Sequence, residues 1–226
     1  MHAATGTFER GDPNLGAEKG TNLDVAFAWK DGPNHLRVGG YVTHFSRFIS
    51  LDATGNDIDL VEDGAVESFP EYQFRAVRAR LYGLELEGNR RLLDRGWTLD
   101  ANGKLDATRG TNRDTGEALP RIAPLRATLA LDAAYRLWTA RAEVQAADRQ
   151  TKVPSTDRET AGYGLVNLSL ARRFTFGSAD ASDGIAFLKV TNVGDKLAYS
   201  ATSIETIRGL SPLAGRAVQA GVRVNF

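Results

Sequence analysis

The sequence predicts an all-β fold: an antiparallel transmembrane β-barrel segment of about nine strands, forming the C-terminal part of a larger barrel. Three observations carry this. Apolar residues recur with a period of two along most of the chain. The alternating runs are longer than the ~5–6 residues usual in globular proteins and suit tilted spans of ~9–11 residues with extensions into water. Short and long connections alternate between them, as on the two rims of an outer-membrane barrel.

The predicted strands are Asn22–Lys30, His35–Ser50, Tyr72–Leu92, Trp97–Thr108, Leu125–Arg136, Trp138–Gln150, Tyr163–Phe176, Ile185–Val193 and Gly215–Phe226. In the first, Leu23, Val25, Phe27 and Trp29 share one face, and Asp24, Ala26, Ala28 and Lys30 the other. In the fifth, Leu125, Ala127, Leu129, Leu131, Ala133 and Tyr135 oppose Arg126, Thr128, Ala130, Asp132, Ala134 and Arg136. The last sets Val218, Ala220, Val222, Val224 and Phe226 against Gln219, Gly221, Arg223 and Asn225. Short connections are expected at Asp31–Asn34, Leu93–Gly96, Leu137 and Gly177–Gly184. Long loops are expected at Leu51–Glu71, Arg109–Pro124, Thr151–Gly162 and Gly194–Ala214. The aliphatic face is expected to meet lipid and the charged face a wet lumen. A soluble barrel would invert that arrangement. Tyr41, Tyr82, Trp97, Tyr135, Trp138, Tyr163 and Tyr199 fall near strand ends and are expected to form an aromatic girdle.

The strand count is odd. The first and last strands both run from the long-loop rim to the short-turn rim, whereas closed single-chain bacterial barrels carry an even number. Residues 1–21 read as the remnant of an extracellular loop, with Gly and Pro and no sustained alternation, and residues 22–226 as the barrel portion. The N-terminus has neither a basic nor an apolar leader region, so no signal peptide is expected at Met1.

Composition narrows the function classes. The 226 residues carry 28 basic and 28 acidic side chains, so no basic footprint for nucleic acid exists. With no cysteine, disulfides, thiolate metal sites and cysteine nucleophiles are excluded. The three histidines, His2, His35 and His44, form no H-x-x-x-H or H-E-x-x-H pattern, and no G-x-S-x-G occurs. The expectation is a protein that is not an enzyme and holds no cofactor.

Six segments resemble one family, in the right order. Asp12-Pro13-Asn14-Leu15-Gly16-Ala17-Glu18-Lys19, followed by Asn22-Leu23-Asp24, resembles the N-P-x-L-x-x-E segment of TonB-dependent outer-membrane receptors. Tyr82-Gly83-Leu84-Glu85-Leu86-Glu87 is similar to the family's Y-x-G-x-E strand, and Leu119-Pro120-Arg121-Ile122-Ala123-Pro124 to its L-P-x-x-P loop end. Thr160-Ala161-Gly162-Tyr163 with Val166-Asn167-Leu168 resembles T-x-G-Y-x-x-x-N. Val190-Thr191-Asn192-Val193-Gly194-Asp195-Lys196 with Tyr199 resembles N-L-x-D-x-x-Y. Gly215-Arg216 precedes a last strand ending in Phe226. The closest flavour is that of the zinc- and haem-type receptors.

The resemblance implies a 22-stranded barrel with an N-terminal plug, located in a Gram-negative type cell outer membrane. It implies uptake of a metal chelate (a siderophore, haem or zinc species) energised through TonB. The plug and the TonB box are not in this sequence. The implied partners are outer-membrane lipid, the TonB complex through that plug, the barrel assembly machinery and the chelate ligand. Phe226 would be the assembly signal. Ligand-binding candidates come from the long loops: Asp57, Asp59, Glu62 and Asp63 in an acidic stretch without Lys or Arg, and Arg113 and Arg121 in a basic one. His44 is the candidate metal ligand. The alternatives are a passive, porin-like small barrel, an outer-membrane hydrolase and a soluble ligand-binding barrel.

Overall fold

The computed structural model describes residues 5–62, 64–176 and 182–225. Phe226, Asp63 and the side chain of Glu62 lie outside the described residues. Ten strands are present among those described: β1 (Phe8–Arg10), β2 (Lys19–Asp31), β3 (Asn34–Glu62), β4 (Ala65–Asp94), β5 (Trp97–Asn112), β6 (Arg126–Tyr135), β7 (Trp138–Ala147), β8 (Tyr163–Phe176), β9 (Ser182–Thr191) and β10 (Ala217–Asn225). Nine of them, β2 to β10, form one antiparallel meander in sequence order. The edges β2 and β10 run in the same direction, because each leaves the long-loop rim.

Register makes this sheet two-faced. Opposed residues in an antiparallel pair point to the same side. Val25 opposes Gly40, which opposes Leu84, which opposes Ala107. Gly103 opposes Leu129, then Val144, then Val166. Leu170 opposes Leu188, which opposes Ala220. One apolar face therefore crosses all nine strands between the bulges at Phe45/Phe48 on β3 and Arg91/Leu93 on β4. It is open on its outer side: Leu23, Val25, Phe27, Leu129, Val218 and Val222 are each more than 60% exposed. Among the described residues the buried apolar core is five alanines and Leu119. A soluble protein does not leave so much contiguous aliphatic surface bare, whereas hydrocarbon covers it.

The other face is charged and internally paired. Arg141 donates to Asp132 (2.6 Å) and Glu143 (2.7 Å). Asn102 donates to Asp132 (2.6 Å), and Asn167 to Glu143 (3.1 Å), so one ladder links β5 to β8. Arg91 bonds Asp100 (2.5 Å) and Arg126 pairs with Asp106 (2.8 Å). Tyr41 lies across Gly83 and bonds Thr108 (2.9 Å), so it faces the lumen. It is not part of the girdle. Tyr163 is also on the lumen face, opposite Ala147, and Tyr199 lies in the last loop. The girdle is instead Trp29, Trp97, Tyr135 and Trp138 at the short-turn rim and Tyr82 towards the other rim. Trp97 stacks on Tyr135 at 4.4 Å, and Arg136 and Arg172 lie over Tyr135 and Trp138. From Trp97 to Arg109, the residue opposite Tyr82, β5 runs about 40 Å at ~3.3 Å per residue, and a tilt of ~45° makes that about 28 Å of bilayer.

One sequence expectation is corrected. Leu51–Glu71 is not a loop: β3 and β4 continue through it as a ladder, with Asp57 opposite Pro70 and Asp59 opposite Ser68. The cross-strand pairs Ile58–Phe69 and Val61–Val66 hold this crest, and Gly64 at φ +82° closes its tip. Residues 5–21 contain β1 and the start of β2. β1 is parallel to β4, with Phe8 opposite Glu71 and Arg10 opposite Gln73. It occupies the edge of β4 above the point where β5 pairing stops, at Ala79–Asn112.

Two substitutions test the two faces. Leu129→Arg puts a cation at mid-belt and should destabilise the chain by about 2–4 kcal/mol in bilayers, while Thr128→Arg, facing the lumen, should cost little. Denaturant unfolding in vesicles, followed by tryptophan fluorescence, measures both. A Cβ at Gly83 would meet the Tyr41 ring at 2.7 Å and the Ala107 carbonyl oxygen at 2.6 Å. Gly83→Val should therefore cost about 1–3 kcal/mol in the same assay, and Tyr41→Phe less.

Candidate functional site

Every long connection gathers at one rim. The loops are residues 113–125, 148–162 and 192–216, joined there by the β3–β4 crest and residues 5–18. A few buried polar side chains bind them together. Asn192 adopts φ +48°, a left-handed conformation that Asn tolerates. Its amide donates to the carbonyls of Lys196 (2.9 Å) and Ala214 (3.1 Å), and its Oδ1 accepts from the Lys196 N–H (2.9 Å). One side chain thus closes both feet of the last loop. Gln150 Nε2 donates to the Ile122 carbonyl (2.6 Å), tying the 148–162 loop to the 113–125 loop.

The last loop contains a single helical turn, α1 (Glu205–Arg208). Arg208 donates to both oxygens of Asp157 (3.0 and 3.2 Å) and to the carbonyls of Arg158 and Ser203. Both partners of this ion pair are 9% exposed, so their desolvation is offset by these several bonds. Thr206 donates to the Thr5 carbonyl (2.7 Å) and brings the N-terminal segment under the same cover.

These contacts enclose a cavity of about 290 Å³ above the polar face. Its wall includes Tyr72, Arg75 and Val77 of β4, Asp114, Glu117, Leu119 and Arg121 of the 113–125 loop, Asp157, and Glu205 of α1. Three of its carboxylates are already taken. Asp157 pairs with Arg208, Glu205 with Arg158 (2.7 Å), and Asp114 with Arg78 (2.6 Å). Arg75 bonds only the neutral Gln73 oxygen (2.9 Å), and Arg121, held at φ +60°, has no acidic partner among the described residues. Asp52 and Glu117, also in the wall, bond only Ser50 and the Ser155 N–H, so the cavity presents two cations and two carboxylates without ion-pair partners among the described residues. Burial, followed by the charges of Glu205 and Asp157, raises the Tyr72 phenol above its ordinary value. Tyr72 stays neutral at physiological pH and keeps its O–H as a donor.

The structure brings one expected ligand-binding residue, Arg121, into the cavity wall. Asp57 and Asp59 stand exposed on the β3–β4 crest. Glu62 ends β3 at the tip of that crest. Arg113 begins the 113–125 loop and is exposed, its N–H donating to the Arg78 carbonyl (2.7 Å). His44 is on the outward face, opposite Thr21 and Arg80. No group of three or more His, Asp or Glu placed to hold a metal occurs among the described residues. Sequence reasoning missed Tyr72, Arg75, Asp157 and Glu205. The phase of Arg75, in step with Gly83 and Glu85, was a readable signal that it faces inward. Asp157 and Glu205 meet only once the loops have folded.

The Asp114 tether gives a pH prediction. The Arg78 N–H bond first, then its guanidinium, hold the Asp114 carboxyl below the usual carboxylate range. Its folded pKa is depressed, so the stabilisation is fully present above the ordinary value of ~4 and is lost as pH falls through the lower folded value. A carboxyl-carbon NMR titration should place Asp114 below the usual carboxylate range, and Arg78→Gln, which keeps the backbone N–H and removes the guanidinium, should raise it only part of the way back.

The comparisons with known proteins agree with this architecture. A family model described as TonB dependent receptor-like, beta-barrel, matches residues 2–193. The copper transporter OprC superposes with a TM-score of 0.71 at 23% identity, covering 94% of this chain and 34% of that one. A mutant of the ferric enterobactin receptor PfeA from Pseudomonas aeruginosa gives 0.63 at 17% identity, covering 96% and 33%. The siderophore receptor PirA from Acinetobacter baumannii gives 0.60 at 14%, covering 95% and 32%. The chain thus spans about a third of the length of these structures. No curated protein sequence matches it. The two-faced meander, the loops gathered on one rim and a family match over most of the sequence lead to one assignment: the chain belongs to the TonB-dependent receptor β-barrel family.

Proposed function

We propose that this chain is the ligand-capturing barrel portion of an outer-membrane receptor that takes up a metal chelate. The observation that carries the reading is the cavity at the long-loop rim, where Arg75 and Arg121 face the void free of carboxylate partners and the Tyr72 hydroxyl is available. A chelate that wraps its metal in negatively charged oxygens meets two cations and a donor there, and the paired polar face below gives it a wet path. The solved structures most like this chain include a copper transporter and siderophore receptors, which fits such cargo. Uptake needs no covalent step. In this reading energy reaches the site through TonB and a plug domain outside this sequence, outer-membrane lipid surrounds the aliphatic face, and the barrel assembly machinery inserts the chain, with Phe226 as its signal. Asp57, Asp59 and Arg113 would then form an outer collar of charge around the entrance; Glu62 and Asp63 remain ligand-binding candidates whose side chains lie outside the described residues. His44 is set aside as a ligand in this reading, because it points away from the lumen.

The passive small-barrel alternative is disfavoured by strand direction. A closed antiparallel barrel of β2 to β10 would require its two edges to run oppositely, and they run the same way.

Binding tests the proposal. The chain in detergent should bind an anionic ferric tricatecholate chelate in equilibrium dialysis read by the chelate's visible absorbance, and Arg75→Gln and Arg121→Gln should each weaken that binding about tenfold, as loss of one charge-assisted contact does. Equal affinity of both variants, or binding of uncomplexed metal alone, would contradict it.

A further inference from the structure

The cavity at the long-loop rim keeps apart opposite charges that are close enough to meet. On the β3–β4 ladder Asp52 opposes Gln73 and Ser50 opposes Arg75, so Asp52 and Arg75 are diagonal neighbours on the lumen face. Such neighbours lie roughly 7–8 Å apart, within reach of a long side chain. They do not pair. The Asp52 carboxylate accepts from the Ser50 hydroxyl (2.5 Å), and Ser50 is only 1% exposed. The Arg75 guanidinium donates twice to the Gln73 side-chain oxygen (3.2 and 2.9 Å). Each charge is thus held by a neutral partner. The 113–125 loop repeats the pattern with Glu117 and Arg121, which both line the cavity. Glu117 accepts from the Ser155 N–H (3.4 Å), and Arg121 is turned at φ +60°. Neither has an ion-pair partner among the described residues. Strand floor and loop therefore each present one cation and one carboxylate.

The other acids of the wall behave differently. Asp114, Asp157 and Glu205 are each neutralised by an arginine. The polar face below does the same, where Arg141 pairs with both Asp132 and Glu143. A wall that leaves both signs open matches a ligand that carries both signs. A purely anionic ligand gains from Arg75 and Arg121 but is opposed by Asp52 and Glu117. One with ammonium groups beside its anionic oxygens gains at all four. We infer that the cavity selects a mixed-charge chelate, one bearing primary ammonium groups as well as metal-binding oxygens: Arg75 and Arg121 take the oxygens, and Asp52 and Glu117 take the ammonium groups. An ammonium suits these carboxylates because it is a compact charge with three donors and needs no bidentate alignment. Leu51, Val77 and Leu119 in the same wall give the methylene stem of an amine arm an apolar surface.

The inference rests on the chelate reading proposed above, and the experiment separates the two. The full chain in detergent is dialysed to equilibrium against two ferric tricatecholates that differ only in their side arms, which end in a primary amine in one and in its N-acetyl derivative in the other. The amine form should bind at least tenfold more tightly, the worth of a charge-assisted contact. Asp52→Asn and Glu117→Gln should each cut that preference about threefold, and binding of the acetylated form reports that each variant is folded. Asp94→Asn, at the short-turn rim, should leave the preference intact. Failure to bind either chelate would overturn the chelate reading itself. Equal affinity for the two chelates, a preference that survives the double substitution, or an equal loss in Asp94→Asn would overturn the mixed-charge selection alone.

Discussion

Cross-strand register is the constraint on which everything else depends. A slip of one residue between any two neighbours would turn a whole strand's aliphatic side chains into the lumen and its charges into hydrocarbon. The pairing avoids this across eight successive interfaces, from Val25 on β2 to Ala220 on β10. Both faces enforce it. On one side, aliphatic and aromatic rows are matched in depth between the Trp97–Tyr135 stack and Tyr82. On the other, the Asn102–Asp132–Arg141–Glu143–Asn167 ladder has its bonds in only one alignment. With Leu119 the one large apolar residue buried among the described residues, the chain is held chiefly by backbone ladder and polar network.

The long-loop rim is built on a different principle. Among the described residues the loops bury few apolar side chains, among them Leu119, Ala198 and Ala201. They are joined by side chains that satisfy several backbone groups at once: Asn192 across the last loop, Gln150 between two loops, Arg208 between α1 and Asp157. Such joints fix the cavity wall while using up most of its negative charge. What remains without an ion-pair partner in the wall is Arg75 and Arg121 on one side of the balance and Asp52 and Glu117 on the other.

Much of this was legible in the chain itself because strand periodicity is local. The β6 and β7 faces follow directly from alternation at Leu129, Leu131, Val144 and their neighbours, and the two-residue turn at Gly32–Pro33 from its composition. The crest of β3 and β4 was hidden because seven acids between Leu51 and Glu71 masked the short apolar alternation at Ile58, Phe69, Val61 and Val66. Tyr41 was misplaced because proximity to a strand end says nothing of which face it takes. Only its phase, with Gly39 and Glu85, does. The cavity was the least legible part. Tyr72, Arg121, Asp157 and Glu205 are far apart along the sequence and come together through loop joints that no periodicity encodes.

The most direct test uses the absence of cysteine from the chain. Single cysteines placed in turn from Ala127 to Ala134 on β6, carrying a fluorophore, can be quenched in vesicles by nitroxide on the lipid tails or by a water-soluble quencher. The account predicts strict alternation: Ala127, Leu129, Leu131 and Ala133 quenched from the lipid, Thr128, Ala130, Asp132 and Ala134 from water. The opposite alternation, or no alternation, would contradict it.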